Sequence, residues 1–332
     1  MGIKIERLEV KCDVYDLTVE DNHNFFANDI LVHNCTESYS NVSPDEYAHT
    51  CNLASIIAGR IKDKEHLIRI ARLATRVLDN GITLTNPPTE ISAAHNNRYR
   101  TIGVGIQGMH DWLALNGKSY RDIKDIQGFA ETIQYGCVLE SIELAKERGA
   151  YPAFEGSTWS TGEQFEHYRK HSVAGLDWTA LEEKCKKVGI RNSQLTSPAP
   201  NTSTSIFMDA AAGFMPVYAA FFFEDNKNGK MPVVAMHMKE NPLCYEQTFP
   251  RYDQMVLARA VGAAQKFIDT GISAEYVLDH NRPDFSAKYL YDLIMTAWSS
   301  GTKAIYYIRH VKKGQTVDDL LGIETACVGC AG

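Results

Sequence analysis

The tripeptide His33-Asn34-Cys35 can do chemistry with little help from the rest of the chain. An asparagine side-chain amide can attack its own carbonyl carbon, cut the following peptide bond and leave a succinimide. His33 is placed to move the protons, and Cys35 offers a thiol able to hold an acyl group, because its thiolate is accessible near neutral pH. The same cysteine opens Cys35-Thr36-Glu37, which sets a sulfur two residues from a carboxylate. Alone, Cys-x-Glu carries almost no information. Four further stretches hold reactive or ligand-binding residue types: Cys51-Asn52-Leu53-Ala54-Ser55-Ile56, Pro198-Ala199-Pro200-Asn201-Thr202-Ser203-Thr204-Ser205-Ile206, the pair Tyr306-Tyr307, and Cys327-x-x-Cys330. Small hydroxyl residues at a strand-to-helix turn present backbone N–H and side-chain O–H donors to one point, which suits phosphate or diphosphate; the plain alternative is a polar surface loop. Adjacent tyrosines on a strand place one ring inside and one outside without any function. Two thiols two residues apart are either a zinc half-site or a redox pair. No second Cys or His pair completes a tetrahedral site convincingly, which favours the redox reading and assigns no metal ligand.

Upstream of Cys35, the block Val14-Tyr15-Asp16-Leu17-Thr18-Val19-Glu20-Asp21-Asn22-His23-Asn24-Phe25-Phe26-Ala27-Asn28 stands at a fixed distance from His33-Asn34-Cys35. Together they resemble the C-terminal part of an intein. The resemblance implies that Asp16 and His23 support acyl transfer and asparagine cyclisation, with His33, Asn34 and Cys35 at the cut. A complete intein needs a first block and many more residues, so residues 1–34 are expected to be the C-terminal fragment of a split, Hint-type, all-β intein, with its N-terminal half on another polypeptide.

The features that follow Cys35, taken in order, resemble the large subunit of a class I ribonucleotide reductase. That resemblance implies a thiyl radical at Cys35 that takes the ribose 3'-hydrogen, and Glu37 as base toward the 3'-hydroxyl. It implies Cys51 as one thiol of the pair that is oxidised to a disulfide, its fellow lying in an absent N-terminal part. Pro200, Asn201, Thr202, Ser203, Thr204 and Ser205 become the substrate-phosphate turn. Tyr306 and Tyr307 become a radical relay from a small subunit that carries a di-iron or manganese centre, so this chain itself is expected to bind no cofactor. Cys327 and Cys330 become a mobile dithiol reduced by thioredoxin or glutaredoxin. Further implied partners are an N-terminal reductase fragment bearing the other intein half, a ribonucleotide substrate, and a second copy in a homodimer of the ligated subunit. A cobalamin-dependent class II enzyme, or a fragment that assembles without ligation, remain the alternatives.

Stepping from the residues to what must hold them, the 332-residue chain has ample apolar content for a soluble core. Its net charge of -7 argues against a nucleic-acid surface. No apolar run approaches the ~18–20 residues that span a bilayer, and no signal peptide is evident, so a cytoplasmic protein is expected. Eight cysteines are too sparse for a disulfide scaffold. Residues 3–9 and 13–19 alternate as short strands, extended by Phe25, Phe26, Ile30 and Val32. Helices are expected at 63–80 with Gly81 as its cap, 125–148 closed by Gly149, 162–171, 179–187, 252–269 and 289–300, with strands at 101–108 and 303–308. Gly103, Gly105 and Gly108 have the wrong spacing for a dinucleotide loop and read as close strand and helix packing. The alternation predicts an α/β architecture with a mostly parallel sheet. The resemblance sharpens this to part of a ten-stranded α/β barrel over residues 35–314, followed by a flexible redox-active tail at 315–332.

Overall fold

The computed structural model describes residues 24–27, 30–33, 37–43, 45–226, 229–245 and 247–314. Asp16, His23, Asn34, Cys35, Cys327 and Cys330 lie outside the described residues, as do the strands expected at 3–9 and 13–19 and the tail at 315–332. The elements run β1 (Asn24–Ala27), β2 (Ile30–His33), β3 (Leu53–Ile57), α1 (Lys64–Leu84), α2 (Glu90–Tyr99), β4 (Gly103–Gln107), α3 (Met109–Leu115) and α4 (Ile123–Arg148). They continue with α5 (Thr158–Thr161), α6 (Glu163–His171), α7 (Trp178–Val188), α8 (Thr202–Phe207), β5 (Phe221–Asn226) and β6 (Gly229–Val234). The last four are α9 (Gln254–Gln265), β7 (Glu275–Asp279), α10 (Ala287–Ser299) and β8 (Tyr307–Val311).

β1 and β2 pair as an antiparallel hairpin, Phe25 opposite Val32, where a small β layer was expected. The remainder is organised by parallel pairing. β3 pairs with β4 and β7 with β8, both parallel. The stretch between them is bridged by single hydrogen bonds: Ser197 N–H donates to Val104 O, Ser273 N–H to Pro198 O at 3.0 Å, and Tyr306 N–H to Ala274 O at 2.8 Å. Backbone hydrogen bonds thus link the β3–β4 pair, through a parallel bridge of Val104 with Thr196, to residues 270–273 and so to the β7–β8 pair. The antiparallel β5–β6 hairpin stands apart from it.

The two faces of β4 differ because side chains alternate along a strand. Val104 and Ile106 are fully buried in the apolar core. Gly103, Gly105 and Gln107 share the other face. A Cβ on Gly103 would sit 2.5 Å from Ser197 Cβ, and one on Gly105 would sit 2.8 Å from Ser55 Oγ. These glycines serve close strand packing, as their spacing indicated.

Behind the strands, α4 packs against both α1 and α9. Gly136 permits the first contact, since a Cβ there would meet Ala71 Cβ at 2.8 Å. α1 starts at its Asp63 cap, whose carboxylate accepts His66 N–H, but it does not end at Gly81. It continues to Leu84 because Ile82 is buried on the same stripe as Leu67 and Ala71, and that burial outweighs the glycine's weak helix propensity. α4 does end at Gly149, which has φ 85°. The expected strand at 303–308 is displaced to Tyr307–Val311, so Tyr306 precedes it. The helix expected at 252–269 is shorter, Gln254–Gln265, closed by the chain's turn toward β7.

Candidate active site

Residues 271–275 are where the separated features meet. Gly271 N–H donates to Glu37 O at 2.8 Å, and Ser273 Oγ donates to Glu37 Oε2 at 2.6 Å. Glu37 is only 1% exposed, so its carboxylate depends on such donors for solvation. Ser273 N–H holds Pro198, at the start of the Ser/Thr-rich turn, and Ala274 O holds Tyr306. One short segment, Gly271-Ile272-Ser273-Ala274-Glu275, thus touches the carboxylate two residues after Cys35, the turn and the tyrosine pair.

Tyr306 and Tyr307 are packed ring against ring, with centroids 3.9 Å apart, rather than pointing to opposite sides of a strand. The Arg309 guanidinium lies 5.3 Å from the Tyr307 ring centre. It also donates to Glu275 Oε2 at 2.6 Å, the same oxygen that accepts the Tyr218 hydroxyl at 2.5 Å. Burial, with the Glu275 charge adding to it, pushes the Tyr218 hydroxyl well above the ordinary phenol range.

Cys51 is exposed. It is oriented from the next residue, since Asn52 Nδ2 donates to Thr101 O and Asn96 Oδ1, and Asn52 O accepts Gly103 N–H. Its thiol pKa is pushed up, chiefly by desolvation; a hydrogen bond from Ser38 opposes this and the Glu37 charge adds to it. The sulfur therefore favours the S–H form at neutral pH and lies within electrostatic reach of Glu37. Ser38 Oγ also bonds His49 Nε2 at 2.8 Å. His49 is pushed down to about 4, first by burial and then by neighbouring His95, which keeps it neutral.

The turn at 200–205 behaves differently from the expected ring of hydroxyl donors. Asn201 adopts a left-handed conformation, φ 56°, and caps the short α8. Ser205 Oγ donates to Thr202 O at 2.7 Å and Thr204 Oγ1 to Asn201 O at 3.2 Å, so both hydroxyls close on the turn's own backbone. A cavity of about 310 Å³ lies beside it, walled by Ser55 and Ile57 from β3, Gln107 from β4, and Asn201, Thr204 and Met208. His33 sits at the end of β2. Ser273, Glu275, Arg309 and Gln107 carried no sequence signal, because each is a common residue whose contacts come from a distant partner; Ser55 stood in the Cys51–Ile56 stretch without being singled out.

Parallel strand pairs backed by helices, with a buried carboxylate, a closely packed tyrosine pair and a cavity at a strand-to-helix turn, make this a mixed α/β protein. The chain belongs to the ribonucleotide reductase family: the family model described as ribonucleotide reductase, barrel domain, matches residues 14–308. It is similar to ribonucleoside-diphosphate reductase subunit alpha of Synechocystis sp., 39% identical over 311 residues, which cover 90% of this chain and 40% of that relative. The subunit of the same name from Treponema pallidum is 34% identical over 265 residues, covering 78% of this chain and 30% of the relative. That from Helicobacter pylori is 32% identical over 302 residues, covering 87% and 38%. The chain thus spans well under half the length of these relatives. Among the described residues, no helix is long and apolar enough to cross a membrane.

Proposed function

We propose that this chain is a precursor whose residues 1–34 are removed by trans-splicing, joining Cys35–Gly332 to an N-terminal segment to form a ribonucleoside-diphosphate reductase large subunit. The observation that carries the enzymatic part is the convergence of Glu37, the 198–205 turn and Tyr306-Tyr307 on residues 271–275. In this reading the Cys35 thiyl removes the 3'-hydrogen while Glu37, held by Ser273, receives the 3'-hydroxyl proton. Cys51 and a second thiol from the N-terminal segment lose two electrons to the sugar as the 2'-hydroxyl leaves as water, and become a disulfide. Cys327 and Cys330 restore that pair by thiol exchange, and thioredoxin or glutaredoxin restores them. Tyr306 and Tyr307 carry the radical from a metal-containing small subunit. The names of the relatives support the diphosphate as substrate.

Mixing the chain with a polypeptide that ends in the intein N-terminal half is expected to yield a longer ligated product by mass. Asn34→Ala is expected to block release of residues 1–34; a mature ligated product lacking residues 1–34 from that variant would contradict the splicing assignment. A second reading, assembly without ligation, draws on the family match beginning at residue 14 rather than at Cys35. The same mass measurement separates the two.

A further inference from the structure

We propose that Ser38, oriented by His49, donates the hydrogen bond that steadies negative charge on the Cys51 sulfur when its disulfide is broken. The disulfide step rests on the reductase reading above; the choice of residues rests on counting hydrogens. Ser38 Oγ lies 2.8 Å from His49 Nε2 and also bonds the Cys51 sulfur. A hydroxyl has a single hydrogen, so only one of these neighbours can receive it. Burial, and after it the neighbouring His95, keeps His49 neutral, and a neutral imidazole carries its one N–H on either ring nitrogen. His49 Nδ1 is buried with no partner. A hydrogen there would be a buried donor without an acceptor, which native structures tolerate less often than an acceptor without a donor. With the hydrogen on Nε2, His49 donates to Ser38, and Ser38 gives its own hydrogen to sulfur. The bond from Ser38 does act in the direction that favours the thiolate.

The arrangement suits a charge that comes and goes. At rest, desolvation and the Glu37 charge outweigh Ser38, and Cys51 stays S–H. The titratable groups facing this chain of bonds are Glu37 and, from α2, His95, whose ring centre lies 5.2 Å from that of His49. Burial holds His95 neutral as well, so neither group is a cation. A lysine or arginine in place of Ser38 would make a standing thiolate, open to oxidation, whereas a neutral hydroxyl helps only while the sulfur is charged. That moment comes in thiol exchange. A thiolate of the reducing dithiol bonds to the sulfur partnered with Cys51, the S–S bond breaks, and its electron pair goes to Cys51 Sγ. The attacking sulfur is oxidised, Cys51 is reduced, and the new charge appears beside the Ser38 O–H. Exchange is faster when the departing thiol has a lower pKa, which is what the Ser38 bond provides. Cys51 is exposed, so a proton from solvent then neutralises it.

The test is alkylation of the full chain by iodoacetamide across a pH series, read at Cys51 by peptide mass mapping. Ser38→Ala is expected to raise the midpoint of the Cys51 profile by about one pH unit, the scale of a lost hydrogen bond to a charged atom. His49→Leu is expected to raise it less, because Ser38 keeps its hydrogen and loses only its orientation. His49→Gln, whose amide can donate to Ser38, is expected to stay near the natural value. A merely structural role would move the thermal midpoint of these variants and leave the pH midpoint in place. An unchanged pH midpoint in Ser38→Ala would overturn the assignment. So would an unchanged or lowered one in His49→Leu, since a lowered value means that Ser38 spends its hydrogen on the imidazole, and so would a His49→Gln midpoint no nearer the natural one than that of His49→Leu. The reductase reading is scored separately, by deoxyribonucleotide formation in the ligated natural sequence. In that protein Ser38→Ala is expected to lower steady-state kcat severalfold with nucleotide KM unchanged; the natural kcat would overturn the disulfide role alone.

Discussion

The buried carboxylates packed among the helices and two buried polar atoms on the glycine face of the strands differ in how fully they are bonded. On the helix side, Asp79 is fully buried, and its carboxylate meets Arg100 at 2.8 Å, Arg148 at 3.0 Å and Asn192 at 3.2 Å. Glu131 is likewise coated, by Ser172 Oγ, the Val173 and Ala174 N–H groups and Trp178 Nε1. On the glycine face of β4, Gln107 Nε2 and Ser197 Oγ are buried with no hydrogen-bond partner. A buried polar cluster whose carboxylate is fully bonded holds the fold in one arrangement, whereas a buried polar atom without a partner costs stability.

Three substitutions sharpen or break that division. The largest effect is expected from Cys35→Ser in the ligated protein, which should abolish turnover while leaving nucleotide binding intact, read by product formation and by titration. Next, Asp79→Ala leaves Arg100 and Arg148 without their shared carboxylate. It is expected to lower unfolding stability by about 3–5 kcal/mol in chemical denaturation, the range for breaking a buried ion pair. A loss no greater than that of an exposed pair would remove Asp79 from the saturated class. The smallest of the three is Ser273→Ala, which takes one donor from Glu37 and touches no predicted site residue by sequence proximity.

Legibility in the sequence followed the range of the interactions. Gly149 is readable as a helix end because the signal is local, and the glycines of 103–108 are readable as packing because their spacing excludes the phosphate loop. α2 was missed although Thr89 caps it by accepting Ser92 N–H, since its short helix has almost no apolar stripe. The β5–β6 hairpin was missed too. In the Ser/Thr run the Thr204 and Ser205 hydroxyls close on the turn's own carbonyls, which the sequence did not announce: hydroxyl residues compete for nearby backbone carbonyls, and local geometry decides whether they win. Least legible was the segment at 271–275. Ser273 and Glu37 are 236 positions apart, and nothing in Gly-Ile-Ser-Ala-Glu announces a buried carboxylate as neighbour. Motifs could name Glu37, the turn and the tyrosines, but not the irregular segment before β7 that gathers them.

That gathering is tested most directly by steady-state kinetics of Ser273→Ala and Ser273→Thr in the ligated protein with its small subunit. Loss of the Ser273 hydroxyl should lower kcat by roughly ten- to a hundredfold, the scale of a mispositioned catalytic group, with KM nearly unchanged, and threonine should restore most of the loss. A Ser273→Ala protein with the natural kcat would contradict the claim that residues 271–275 hold Glu37 for the reaction.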